Sequence, residues 1–145
     1  MTVTFFGHRN SPESIKKTLE NTLLHLIENQ NATIFLVGNH GNFDNMSNSL
    51  LLKLKEKYPH IKHYTILAYM PTVNNSNSCY ENTILPEEIA ISHPKFAIDK
   101  RNEWMIKNSD IVVCYIKHTH GGAAKYYEKA KRQGKIVINI ADSII

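Results

Sequence analysis

Cysteine is scarce in this chain: it holds two, Cys79 and Cys114, in 145 residues. Two are too few for a disulfide framework, and their spacing fits no zinc motif, so a reducing, cytoplasmic setting is expected. Cys114 lies within the apolar run Ile111–Ile116 and reads as a small buried hydrophobe. Runs of this length fall far short of the roughly 20 apolar residues that cross a bilayer, so no membrane association is expected. The N-terminus also lacks the basic stretch and small-residue cleavage site of a secretory leader. It goes directly into Val3-Thr4-Phe5-Phe6, a strand-like run. With six glycines and five prolines, collagen-like and Gly/Pro low-complexity chains are excluded.

What remains is an ordinary globular composition, 42% hydrophobic and 21% charged, which argues against disorder. Its length suits one domain spanning residues 1–145. Seventeen Lys and Arg against 13 Asp and Glu give a formal charge of +4. The one basic concentration, at Lys125, Lys129, Lys131, Arg132 and Lys135, reads as a solvated helix end, where cations offset the macrodipole. On that distribution, nucleic acid is not expected as a partner.

Five short apolar runs read as strands: Val3–Phe6, Thr33–Val37, Tyr64–Ala68, Asp110–Ile116 and Lys135–Ile140. Their apolarity is continuous rather than alternating, which suits strands covered on both faces. Helical spacing separates them. Ile15, Leu19, Leu23, Leu26 and Ile27 form one stripe, with Ser11 as N-cap and Pro12 at N1. Met46, Leu50, Leu51 and Leu54 form a second, Phe96–Lys107 is a third helix, and Gly122–Gln133 a fourth, closed by Gly134 at C′. The order predicts an α/β, Rossmann-like three-layer fold with a mainly parallel five-stranded sheet. Only Met70–Ser92 breaks the rhythm, as a lid or an insertion.

In open parallel sheets, ligands bind beyond the carboxyl ends of the strands. Gly7-His8-Arg9, Gly38-Asn39-His40-Gly41-Asn42-Phe43-Asp44, Tyr69-Met70-Pro71 and His118-Thr119-His120-Gly121-Gly122 all fall at that edge. The Gly38–Asp44 and Gly121–Gly122 turns both lead into helices, whose free N–H groups attract anions. Neither turn matches a dinucleotide fingerprint or a phosphate-loop motif. His8, His40, His118 and His120 lack the carboxylate spacing of a metal site and read as hydrogen-bonding loop residues, so neither metal nor cofactor is expected. On the third helix, spacing puts Arg101 and Met105 on one face, and the guanidinium fork suits a phosphate or carboxylate.

Together, Thr4-Phe5-Phe6-Gly7-His8-Arg9, the Val37–Asp44 stretch, Leu67-Ala68-Tyr69-Met70-Pro71, the Phe96–Met105 run and Gly121-Gly122-Ala123 resemble the SLOG superfamily, of the DUF1273-like type. That superfamily is Rossmann-like and includes the Lonely Guy phosphoribohydrolases, the DprA DNA-binding proteins and nucleotide-sensing domains. The Lonely Guy Arg-Lys-x-x-Met helix is similar to Arg101-Asn102-Glu103-Trp104-Met105, with Asn102 in place of Lys. Their Pro-Gly-Gly-x-Gly-Thr-x-x-Glu turn is matched at Gly121, Gly122 and Glu128, but His120, Ala124 and Lys125 replace Pro, Gly and Thr.

The resemblance implies a nucleotide or nucleotide-derived ligand, held by Gly7, His8, Arg9, Gly38, Asn39, Gly41, Asn42, Asp44, Gly121, Gly122, Ala123 and Lys125. Asp44 is the candidate for ribose hydroxyls, and Lys125 for an anion contact. An alternative expectation is hydrolysis of the N-glycosidic bond of a nucleoside 5′-monophosphate, with Arg101 and Glu128 as catalytic pair. A second alternative is DprA-like binding of single-stranded DNA. Kinship to Lonely Guy enzymes also implies a homodimer or larger homo-oligomer.

Overall fold

The computed structural model describes residues 1–70, 82–117 and 121–143. Its strands are β1 (Thr2–Gly7), β2 (Ile34–Val37), β3 (Lys62–Ile66), β4 (Thr83–Ile84), β5 (Ile111–Tyr115) and β6 (Ile136–Asn139). Between them run α1 (Lys16–Asn29), α2 (Asn42–Lys57), α3 (Glu87–Ala90), α4 (Pro94–Lys107) and α5 (Gly122–Arg132). The strands form one sheet in the order β4-β3-β2-β1-β5-β6, and every pairing is parallel. Among the described residues, no helix is long and apolar enough to cross a membrane.

Why the strands read as continuous apolar runs is visible in their packing. Val3, Phe5, Phe35, Val37, Ile111, Val113 and Tyr115 face one side, where they meet Leu19, Leu23 and Leu26 of α1 and Met46, Leu50 and Leu54 of α2. Phe6, Leu36, Ile66, Val112 and Cys114 face the other, against Met105 and Ile106 of α4 and Tyr126 and Ala130 of α5. β1, β2 and β5 thus alternate between two buried faces, and helices cover both. Cys114 is fully buried, and burial pushes its thiol up to about 12.

Details depart from the sequence reading where local chemistry overrides periodicity. Ser11 does not cap a helix: its hydroxyl donates to the His8 carbonyl at 2.6 Å, and a 3₁₀ turn at Glu13–Ile15 precedes α1. The third strand starts at Lys62, because Lys62 N–H already pairs with the Thr33 carbonyl at 2.7 Å. α4 begins at Pro94, two residues earlier than the sequence suggests, because the His93 ring accepts from the Lys95 N–H. The segment Met70–Ser92 contributes β4 as a sixth strand, at the sheet edge, and α3. Its residues 71–81 lie outside the described residues.

The order places β1 between β2 and β5. Chain connections run outward on both sides of that point, and a crevice opens beyond the carboxyl ends of β1 and β5.

Candidate functional site

The crevice is built by two turns and three helices. Gly7, His8 and Arg9 leave β1; His40 comes from the β2–α2 turn and Asp44 from the start of α2; Ile98, Arg101, Asn102 and Met105 come from α4; Gly122, Ala123 and Tyr126 come from α5. Together with Phe5 and Phe6 they line a cavity of about 380 Å³. Backbone ties hold the turns together. Asn42 N–H donates to the Arg9 carbonyl at 2.8 Å, and Lys117 N–H donates to His8 Nε2 at 2.9 Å.

Glycine is required at two places here. Gly41 adopts φ of +90°, and a Cβ there would lie 2.9 Å from the Arg9 Cα. Gly38 is needed for close approach: a Cβ would sit 2.8 Å from Asp44 Oδ2 and 3.0 Å from Arg101 Cζ.

Arg101 is the centre of the arrangement. It is 2% exposed, although it carries a cation. Its Nε donates to Asn102 Oδ1 at 2.8 Å, and its Nη1 to Asn39 Oδ1 at 3.1 Å and to the Ile66 carbonyl at 3.3 Å. Nη2 lies 3.4 Å from His40 Nδ1. Because a guanidinium can only donate, His40 Nδ1 accepts and the His40 proton sits on Nε2. All four partners are neutral, and none of the ion pairs among the described residues includes Arg101. The four bonds use four of the five N–H groups of the fork, leaving one on Nη2 without a protein acceptor among the described residues.

The neighbouring titratable groups respond to the same burial. Asp44 is 8% exposed, and burial pushes its carboxyl up to about 6, against the opposing pull of the His40 N–H and the Arg101 charge. Its Oδ2 accepts from the His40 backbone N–H at 3.0 Å. His40 is held below its ordinary range by burial and then by Arg101 and Arg9, so it is neutral at pH 7. The cavity therefore carries a positive end at Arg101 and Arg9, one carboxyl group, and the first turn of α5, which has no side-chain cap.

Residues 2–139 match the sequence profile of the YspA SLOG family. The chain belongs to the YspA SLOG family. No curated protein matches it significantly. Among solved structures, this SLOG chain is similar to DNA processing protein A (DprA) from Streptococcus pneumoniae, with a TM-score of 0.68 and 17% identity. The likeness covers 94% of this chain and 48% of that one, so the chain spans about half the length of the protein it matches. At that identity the likeness speaks for the fold.

It also corrects one expectation. The basic residues alone read as a solvated helix end and argue against nucleic acid; the fold is nevertheless shared with a protein named for DNA processing, so that exclusion does not stand. Neighbouring carboxylates neutralise only part of the basic cluster. Lys125 pairs with Asp99 and Lys129 with Glu103, both across α4 and α5, while Lys131 and Arg132 stay exposed.

The remaining sequence-derived site residues divide into three groups. Gly7, His8, Arg9, Asp44, Arg101, Gly122 and Ala123 line the cavity. Gly38, Asn39, Gly41 and Asn42 stand behind it, holding Arg101 and the turns. Gly121, Lys125 and Glu128 are exposed and are not among its lining residues. Two positions past Tyr126, Glu128 sits about 200° round α5, on the side away from the cavity. His118 and His120 lie outside the described residues.

Sequence reasoning did not single out Asn102 or Tyr126 as site residues, and left His40 as a loop histidine. The four-residue step from Gly122 to Tyr126 was the available signal, since both fall on one helix face.

Proposed function

We propose that this SLOG domain binds a nucleotide or nucleotide-derived ligand in the crevice beyond β1 and β5, with an anionic group of the ligand at Arg101. One observation carries this reading. Arg101 is a buried cation lining a cavity, with neutral partners and, among the described residues, no ion pair and one uncommitted N–H. Buried charges cost several kcal/mol unless paired, and an incoming anion supplies the missing pair. Arg9 and the first turn of α5 at Gly122 and Ala123 add positive potential on the same cavity.

The test is a thermal-shift panel of the common nucleoside 5′-monophosphates, with free base followed in the same samples. A ligand at a hundred times its Kd adds about 2.7 kcal/mol, or roughly 10 °C for a domain of this size. Arg101→Met is expected to lose the shift and Glu128→Gln to keep it. Absence of any shift with the wild-type chain overturns the reading. Base release that vanishes in Glu128→Gln would instead favour hydrolysis by the Arg101 and Glu128 pair.

A second reading, binding of single-stranded DNA, is favoured by the fold shared with DNA processing protein A. It predicts an affinity for oligonucleotides that falls steeply with salt.

A further inference from the structure

Asp44 has a local task that uses only half of it. It is the third residue of α2, and its Oδ2 reaches back to the His40 N–H at 3.0 Å, which steadies the turn into the helix. An acidic residue at a helix start does this equally well in water, where its charge also suits the dipole. Here the carboxyl is 8% exposed and lines the cavity. Its other oxygen, Oδ1, accepts no hydrogen bond among the described residues and is not one of their buried unpartnered atoms. Helix capping does not require a carboxyl that lines a cavity, and Oδ1 is the oxygen left for a donor from within it.

The surroundings tell which donor would suit it. Asp44 is the one carboxylate among the cavity-lining residues, and it stands beside Arg101, with Gly38 packed against both. A bare inorganic anion drawn to Arg101 would be repelled by Asp44. A ligand that brings an anion and, on the same frame, hydroxyl donors satisfies both groups. β2 and β5 lie on opposite sides of β1, so Asp44 and the first turn of α5 enter the cavity from opposite flanks. The two kinds of ligand group can therefore be met at once.

Resting on the nucleotide-binding reading above, we infer that Asp44 selects ligands that carry a phosphorylated ribose with free 2′ and 3′ hydroxyls, by accepting from that diol. Asp44 is thus a specificity-determining residue, and the ligand class is ribonucleotides rather than phosphate itself or sugar-modified nucleotides without hydroxyls.

The experiment compares the wild-type chain and Asp44→Asn, each titrated calorimetrically with nucleoside 5′-monophosphates, their 2′,3′-dideoxy counterparts and inorganic phosphate. The wild type is expected to favour the ribonucleotide over the dideoxy form by roughly tenfold to a hundredfold, the worth of a hydrogen bond to a charged group. In Asp44→Asn that preference should shrink to about threefold or less, with the dideoxy form bound no more weakly than by wild type. A purely structural role for Asp44 would weaken both ligands alike, which overturns the inference. Equal wild-type affinity for the two sugars also overturns it, and needs no variant to fold. Failure of every nucleotide to bind the wild type refutes the underlying nucleotide reading as well, so the two failures are distinguishable.

Discussion

Replacing Asp44 by Asn should stabilise the ligand-free protein at neutral pH and leave it nearly unchanged at pH 4. Burial raises the Asp44 carboxyl from 3.8 in the open chain to about 6 in the fold. Between those values the folded state holds a proton that the unfolded state has lost, so stability falls as pH rises through the window. A shift of about two units at roughly 1.4 kcal/mol each makes the ionised group cost about 3 kcal/mol above pH 6. At 8% exposure, solvent screening removes little of this. The amide of Asn keeps an oxygen for the His40 N–H and carries no charge, so it escapes the cost. Urea denaturation of both proteins at pH 4, 5, 6, 7 and 8 gives the difference directly, because all other titrating groups cancel. The gap should open from near zero at pH 4 to between 1 and 3 kcal/mol at pH 7, the lower figure applying if Arg101 misses the carboxylate's attraction (about these sizes). A gap that stays constant across the series would show that Asp44 ionises normally and that its environment is not the dry, cavity-lining one described.

His63 should show the opposite slope. It is 6% exposed, its Nε2 lies 2.6 Å from Asn48 Oδ1, and its Nδ1 is buried without a partner among the described residues. Burial, and then the Lys55 charge, lower its pKa from 6.5 to about 4. Its contribution to stability is present above pH 6.5 and lost as pH falls toward 4, by about 3 kcal/mol. His63→Gln, which keeps a nitrogen facing Asn48, should flatten the acid limb of the denaturation profile. Gly38→Ala would force a Cβ to 2.8 Å from Asp44 Oδ2 and 3.0 Å from Arg101 Cζ. It should cost about 1–3 kcal/mol in denaturation and abolish the nucleotide thermal shift.

The fold was legible because its grammar is redundant. Continuous apolar strands, helical stripes such as Leu19-Leu23-Leu26, and Gly134 at φ +75° after α5 each point to the same α/β layering. β4 was not legible, since two residues cannot establish a period. In the site, strand-edge reasoning reached Gly7, Arg9, Asp44 and Gly122 without any contact information. It could not separate residues that face the cavity from those behind it. Asn39 and Asp44 come from one stretch of chain, yet the first serves Arg101 from outside and the second lines the cavity. That distinction depends on which way the turn after Gly38 bends, and side-chain spacing does not encode it. Glu128 shows the same limit: its match to a motif fixes its number along α5, while the rotation of the helix against Phe6 and Met105 sets its outward direction.

The buried arginine and the buried carboxylate each cost stability, since desolvating a single charge costs several kcal/mol. They come close beside Gly38, where no side chain intervenes, and attract without an ion pair among the described residues. Under the nucleotide reading proposed above, a ligand that supplies an acceptor to Arg101 and a donor to Asp44 together would offset both costs, and a nucleotide with its ribose diol carries both on one small frame.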